Sequence, residues 1–237
     1  MQNLKDKVAY ITGGSKGIGL GVANSLLKTG MKVAISGRNW DSLERAKSVL
    51  DAPNKVFLIK SDVSNPKDEQ KAVNEVLNKW GQLDMVLANA GLGVFAPIDE
   101  LSIKDWDAMI NTNLSGAFYT LKASVEALKI SKGYYITLAS LAGTNFFASG
   151  TGYNASKFGL VGFTQAAMLD LRKYDIKVST IMPGSVATHF NNNEPSEKDN
   201  WKIQPEDIGD LVVGLLQMNP RTLPSKIEVR PSRPDKK

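Results

Sequence analysis

Short apolar runs alternate along this chain with longer stretches in which apolar residues recur every three or four positions. Val8, Ala9, Tyr10 and Ile11, within Lys7–Thr12, form the first run and predict a buried strand. Val22, Ala23, Leu26 and Leu27 follow at helical spacing, and the helix they predict ends near Gly30. The same reading places strands at Lys32–Gly37, Lys55–Lys60, Met85–Ala88, Tyr134–Leu138, Lys177–Met182 and Lys226–Arg230. Between them it places helices after Asp41, from Pro66 to about Trp80, over Ile103–Ile130, from Tyr153 through Leu171, and over Pro205–Gln217. Strand and helix taking turns imply an α/β fold with a parallel sheet and crossover helices. No repeat, low-complexity segment or composition break divides the chain, so residues 1–237 are expected to form one domain.

Local signals sharpen the boundaries. Asp41-Ser42-Leu43-Glu44 has the form of a capping box with Asp41 as the cap. Ser64-Asn65-Pro66 reads as a cap followed by proline in the first turn. Asn111 and Asn113 fall inside an otherwise helical pattern, where asparagine is disfavoured, and imply either a purpose or a local kink. Pro183-Gly184 breaks the sixth strand, and the polar, asparagine-rich residues 185–204 that follow are expected to form a mobile lid. The basic, proline-containing residues 231–237 are expected to be a flexible tail.

Composition removes several function classes. There are no cysteines and one histidine, His189, which argues against disulfides, thiolate or histidine metal sites and a Ser-His-Asp triad. No window is long and apolar enough to span a bilayer, and the N-terminus has no apolar signal core, so a cytoplasmic protein without a membrane role is expected. The net charge of +5 and pI of about 9.2 raise nucleic acid as a partner. The lysines are scattered rather than clustered, so small anionic ligands are favoured instead and no nucleic-acid role is expected.

The chemistry concentrates in a few places. Tyr153-Asn154-Ala155-Ser156-Lys157 puts a phenol and an ammonium one helical turn apart, on one face. A free phenol has a pKa of roughly 10, and a nearby cation lowers it toward the range of a working proton donor and acceptor. Ser140 lies thirteen residues upstream, after an apolar run. Near the start, Thr12-Gly13-Gly14-Ser15-Lys16-Gly17-Ile18-Gly19 joins a strand to a helix, the context in which glycine loops and helix N-termini hold a pyrophosphate. The slot after the second strand, where an acid commonly holds ribose hydroxyls, carries Arg38. Lys16 and Arg38 together favour a 2′-phosphate and hence NADP(H) over NAD(H), unless Arg38 is merely solvated. Asp62 either meets an adenine edge or closes a plain turn, and Asn89 either faces a ligand or braces nearby backbone. Phe95, Phe146, Phe147 and Phe190 either line an apolar pocket or pack in the core.

Taken together, these motifs resemble the short-chain dehydrogenase/reductase family over nearly the whole chain, from Lys7 to about Arg230. Thr12-Gly13, Gly17 and Gly19 match its cofactor loop, Asn89-Ala90-Gly91 its strand-four motif, and Pro183-Gly184 with Thr188 its motif after strand six. Asn113, Ser140, Tyr153 and Lys157 match its catalytic tetrad. The resemblance implies a Rossmann-like, doubly wound parallel sheet of about seven strands with helices on both faces. It also implies a homo-oligomer, tetramer or dimer, and a small-molecule carbonyl or alcohol substrate. By the same resemblance Tyr153 gives the proton while the nicotinamide gives hydride. Lys157 lowers the Tyr153 pKa and holds the nicotinamide ribose, Ser140 bonds the carbonyl oxygen, and Asn113 positions a water. Candidate cofactor contacts are Gly13, Ser15, Lys16, Gly17, Ile18, Gly19, Arg38, Asp62, Val63, Asn89, Ala90, Gly91, Pro183, Gly184, Val186 and Thr188, with Tyr153 and Lys157. Basic residues at the Lys16 and Arg38 positions are similar to those of NADPH-dependent carbonyl reductases, including 3-oxoacyl-(acyl-carrier-protein) reductases. The asparagine-rich residues 185–204 and the end Ser225-Lys226-Ile227-Glu228-Val229-Arg230-Pro231 depart from the acyl-carrier pattern. An NAD-dependent alcohol dehydrogenase and a non-catalytic NADP(H)-sensing protein are the alternatives.

Overall fold

The computed structural model describes residues 2–233. Seven strands form one parallel sheet: β1 Val8–Thr12, β2 Lys32–Gly37, β3 Val56–Lys60, β4 Met85–Ala88, β5 Tyr134–Leu138, β6 Lys177–Pro183 and β7 Lys226–Val229. Their order across the sheet is β3-β2-β1-β4-β5-β6-β7. Seven α-helices connect them: α1 Gly17–Lys28, α2 Trp40–Leu50, α3 Pro66–Trp80, α4 Ile103–Ile110, α5 Gly116–Ser131, α6 Thr151–Leu171 and α7 Pro205–Gln217.

Both sheet faces are covered, which is why the strands read as unbroken apolar runs. Ile11, Ile35, Leu87 and Ile136 point to one side and pack with Val22 and Leu26 of α1, Leu43 of α2 and Val212 of α7. Tyr10, Ala34, Val86 and Tyr135 point to the other and pack with Val73 and Val76 of α3, Leu121 of α5 and Leu160 of α6. The chain builds outward from β1 to β3, then returns to the other side of β1 to lay down β4. At such a reversal the loops leaving two neighbouring strands part company and open a crevice above their carboxyl ends.

Several boundaries differ from expectation. The cap of α2 is Asn39, whose Oδ1 accepts from Ser42 N at 2.8 Å, and Asp41 lies in the first turn instead. An asparagine amide oxygen caps as well as a carboxylate, so the helix starts two residues earlier, at Trp40. The α3 cap is as read, with Asn65 accepting from Lys67 N and Pro66 in the first turn. Pro183 ends β6 rather than breaking it, pairing with Val229, and Gly184 N continues to the Val229 carbonyl at 2.8 Å. Residues 103–131 are helical throughout, but Asn111–Ser115 is a single π turn between α4 and α5, closed by Gly116 N on the Asn111 carbonyl. The two asparagines therefore mark a bulge, a frequent device at functional positions.

Residues 185–204 are pinned near both ends. Val186 pairs with Ile203, Ala187 N donates to the Ile203 carbonyl at 2.9 Å, and Ile203 N donates to the Ser185 carbonyl at 3.1 Å. Of the tail, residues 234–237 lie outside the described residues. No helix among the described residues is long and apolar enough to cross a membrane.

Candidate active site

The crevice at the reversal is a cleft of about 1360 Å³, running from the ends of β2 and β3 to the first turns of α6. Its floor is made where β1 and β4 end side by side. Thr12 Oγ1 accepts from the backbone N–H of Asn89 at 3.0 Å and of Ala90 at 3.1 Å. Asn89 Nδ2 returns bonds to the carbonyls of Thr12 at 2.8 Å and Gly13 at 3.1 Å. Asn89 is thus a brace that fixes the glycine loop against β4. Gly13 has φ +64°, and a Cβ there would sit 2.9 Å from Ala90 Cα, so no larger residue fits without moving backbone. The loop delivers the N-terminus of α1, which has no side-chain cap, with Ser15, Lys16, Gly17 and Ile18 on the cleft wall. Unsatisfied first-turn N–H groups facing a cleft form an anion site.

At the β2/β3 end the wall carries Ser36, Gly37, Arg38, Ser61, Asp62 and Val63. Asp62 Oδ1 accepts from Ser64 N at 3.0 Å and Ser64 Oγ at 2.7 Å, so the carboxylate closes a turn. Among the described residues neither Lys16 nor Arg38 has an acidic partner within ion-pair distance. These two cations and the uncapped helix start, all lining the one cleft, fit the phosphates of a dinucleotide.

Tyr153 and Lys157 occupy the opposite end on α6. Lys157 is 4% exposed, and its Nζ donates to the Leu138 carbonyl at 3.0 Å. The same Nζ lies 5.8 Å from the Tyr153 ring centre. Burial pushes Lys157 down from 10.5 to about 8. Burial also raises the Tyr153 phenol above its ordinary value, against a smaller lowering by its hydrogen bond to Ser140. The phenol therefore stands above its ordinary value rather than below it as expected, because loss of water around the phenolate outweighs the Ser140 hydrogen bond.

The neighbours of Tyr153 are held by side chains of its own motif. Ser156 Oγ donates to the Tyr153 carbonyl at 2.8 Å and accepts from Asn113 Nδ2 at 2.9 Å. Asn113 also donates to the Leu92 carbonyl at 2.8 Å and accepts from Leu92 N at 2.9 Å. The π turn carries Asn113 inward until it is buried, so it clamps the turn of Tyr153 to the loop after β4. Asn154 Nδ2 donates to the carbonyls of Ala142 and Asn145, fixing the loop that presents Ser140.

Of the candidate residues, Gly19 and Asn113 stand behind the cleft and all the others line it. A Cβ on Gly19 would lie 2.6 Å from Asn89 Nδ2, so Gly19 serves the packing of the loop. Phe95, Phe146, Phe147 and Phe190 line the cleft and are partly exposed, which settles them as wall rather than core. Asn154 and Ser156 were not among the candidates. Their signal was present, since both are polar positions on a helix that is otherwise apolar over much of its circumference.

Replacing Lys157 by methionine is expected to raise stability. Below about pH 8 both folded and unfolded chains carry its proton, and the folded chain bears the full cost of the buried charge. Between about 8 and 10.5 the folded chain releases the proton first, and stability rises with pH. That span is worth ~3 kcal/mol. Orphaning the Leu138 carbonyl returns ~1–2 kcal/mol, so Lys157→Met gains about 1–2 kcal/mol at neutral pH. Thermal melts should show a higher Tm for the variant and a flatter dependence over that window, and an unchanged or lower Tm at neutral pH would contradict it.

A family profile for short chain dehydrogenases matches residues 7–199. An uncharacterized oxidoreductase of Staphylococcus aureus (strain MRSA252) is 33% identical over 232 residues, covering 98% of this chain and 100% of that protein. Among solved structures, an alcohol dehydrogenase from the archaeon Thermococcus sibiricus, complexed with 5-hydroxy-NADP, superposes with a TM-score of 0.90 at 30% identity, over 98% of this chain and 100% of that one. A metagenomic short-chain oxidoreductase in complex with NADP superposes with a TM-score of 0.86 at 31% identity, over the same shares.

Proposed function

The chain belongs to the short-chain dehydrogenase/reductase family of oxidoreductases, and from that footing we propose that it interconverts a carbonyl and a secondary alcohol with NADP(H). One observation carries the reading. A single cleft joins the uncapped start of α1 and two cations that have no acidic partner among the described residues, at one end, to Tyr153, Ser140 and Lys157 at the other.

Lys16, Arg38 and the first turn of α1 hold the phosphates, and Asn89 and Gly13 keep that cradle in shape. When bound, the nicotinamide supplies hydride in reduction and accepts it in oxidation. Ser140 and the Tyr153 phenol donate to the carbonyl oxygen, stabilising charge as it develops there. The raised pKa of Tyr153 keeps the phenol protonated at neutral pH, which is the form reduction requires of a proton donor. The proton passes from Tyr153 Oη to the oxygen, and the Lys157 ammonium faces the phenolate left behind. Reduction is accordingly expected to hold steady below about pH 8 and to fall as pH rises through it and Lys157 loses its charge. A pH profile that rises through that point would contradict this role.

The amide of Asn113 is spent on Leu92 and Ser156, which leaves its main chain to hold a relay water. Residues 185–204 act as the lid, moving between their pinned ends. The exposed rings of Phe118 on α5 and Phe158 on α6, with Leu169, form an apolar face that pairs with a second copy of the chain. Loss of NADPH absorbance with a panel of ketones tests the activity. Consumption supports it, tighter binding and faster turnover of NADH would favour an NAD-dependent enzyme, and tight NADPH binding with no carbonyl consumed would leave a sensor.

A further inference from the structure

Two separate loops bring phenylalanines onto Tyr153, and a third backs them. Phe95 comes from the stretch after β4, Phe147 from the stretch before α6, and Phe190 from residues 185–204. Phe95 meets the Tyr153 ring edge-on, with centres 5.3 Å apart and planes at 69°. Phe147 backs Phe95 at 5.8 Å. Phe190 lies 5.7 Å from Tyr153 and 6.5 Å from Phe95. These are the spacings at which aromatic rings attract beyond the area they bury.

Glycine at residue 93 makes room for this ring: a Cβ there would stand 2.7 Å from Phe190 Cζ, and the ring would have to shift. The two rings roof the face of the Tyr153 ring, and Tyr153 is 9% exposed, so a flat group that seats against that face displaces a ring. Phe95 is bedded between Phe147 and Tyr153. Phe95 and Phe190 are almost equally exposed, at 37% and 39%, but Phe190 rides on the segment pinned near its ends, so it is the ring that gives way.

Charge narrows the occupant further. Lys16 and Arg38 belong to the opposite end of the cleft, Lys202 is paired with Asp199, and Arg230 with Glu228. Lys157 is buried and donates to the Leu138 carbonyl. Among the described residues, no exposed lysine or arginine without an acidic partner stands beside the phenylalanines, and His189 is the one other basic side chain on that part of the wall.

We propose that the substrate is an uncharged ketone whose aryl, or similarly flat apolar, group takes the seat that Phe190 holds against Tyr153, Phe95 and Gly93. This rests on the reductase reading and adds a substrate class to it. The ring is received edge-on by Phe95, an interaction a straight alkyl chain of equal carbon count cannot make.

Steady-state reduction with NADPH tests it on acetophenone, 2-octanone and phenylglyoxylate. The expected kcat/KM for acetophenone exceeds each of the others by about tenfold or more, the scale on which apolar pockets discriminate. Phe95→Ala should raise KM for acetophenone by about tenfold with a smaller change in kcat, since a binding wall is lost. Phe190→Ala should move KM the other way, lowering it several-fold, because the competing ring is gone. Equal or better use of 2-octanone, or a rise in KM in Phe190→Ala matching that in Phe95→Ala, would overturn the proposal. Should no ketone be consumed, the reductase reading fails, and calorimetry still decides the seat. With NADPH present, 1-phenylethanol binding about tenfold tighter than 2-octanol, and tighter again in Phe190→Ala, upholds it, and equal binding overturns it.

Discussion

Tyr153→Phe is expected to lower kcat for ketone reduction by about 10²–10⁴-fold, the usual worth of a positioned general acid. That range corresponds to ~3–5 kcal/mol of lost transition-state stabilisation. The substitution removes one oxygen and keeps the ring, so the edge-on contact with Phe95 and the packing of Phe190 survive. The phosphate cradle is built from β1, β4 and α1, away from the phenol, so NADPH affinity should stay within about twofold. The fold should not suffer either, because the hydroxyl is held in a dehydrated place where its ionised form is disfavoured. The outcome is a protein that melts normally, binds NADPH normally and reduces almost nothing. Turnover within a few-fold of the unsubstituted protein would remove Tyr153 from the chemistry.

Removing both Lys16 and Arg38 side chains, in a Lys16→Ala/Arg38→Ala protein, is expected to weaken NADPH binding by about 10²–10³-fold and NADH binding by less than tenfold. Each cation offers a charge-assisted contact worth ~1.5–3 kcal/mol to a phosphate. Discounted for the solvent-facing position of the two groups, the pair comes to ~3–4 kcal/mol. Neither side chain has an acidic partner to break among the described residues, so the loss falls on the ligand rather than on the fold. NADPH affinity should also fall steeply with added salt in the parent protein and less so in the variant. Parallel losses for NADPH and NADH, or tighter NADH binding by the parent, would contradict the 2′-phosphate assignment.

What could be read from the residues was what depends on neighbours in the chain. The strands Met85–Ala88 and Tyr134–Leu138 and the helix Pro205–Gln217 fall where periodicity places them, because burial on both sheet faces writes itself into consecutive apolar residues. The Tyr153 and Lys157 pairing is legible for the same reason, as one helical turn fixes it. What escaped depends on distant parts meeting. The choice of Asn39 over Asp41 as cap turns on two residues of helix register. The π turn at Asn111–Ser115 could be suspected from two asparagines, but the clamp of Asn113 on Leu92 and Ser156 needs three elements in place. The upward shift of the Tyr153 phenol follows from burial, and the rings that roof it, Phe95 and Phe190, stand 58 and 37 positions away along the chain. No local pattern reports how much water that roof removes.

Direct hydride transfer beside Tyr153 is tested by reducing acetophenone with NADPH carrying deuterium at nicotinamide C4, preparing each of the two C4 epimers separately. One epimer should yield 1-phenylethanol with a single deuterium on the carbinol carbon, and the other should yield unlabelled alcohol. Label lost to water from both epimers, or no alcohol formed from any ketone under saturating NADPH, would contradict a carbonyl reductase centred on this phenol.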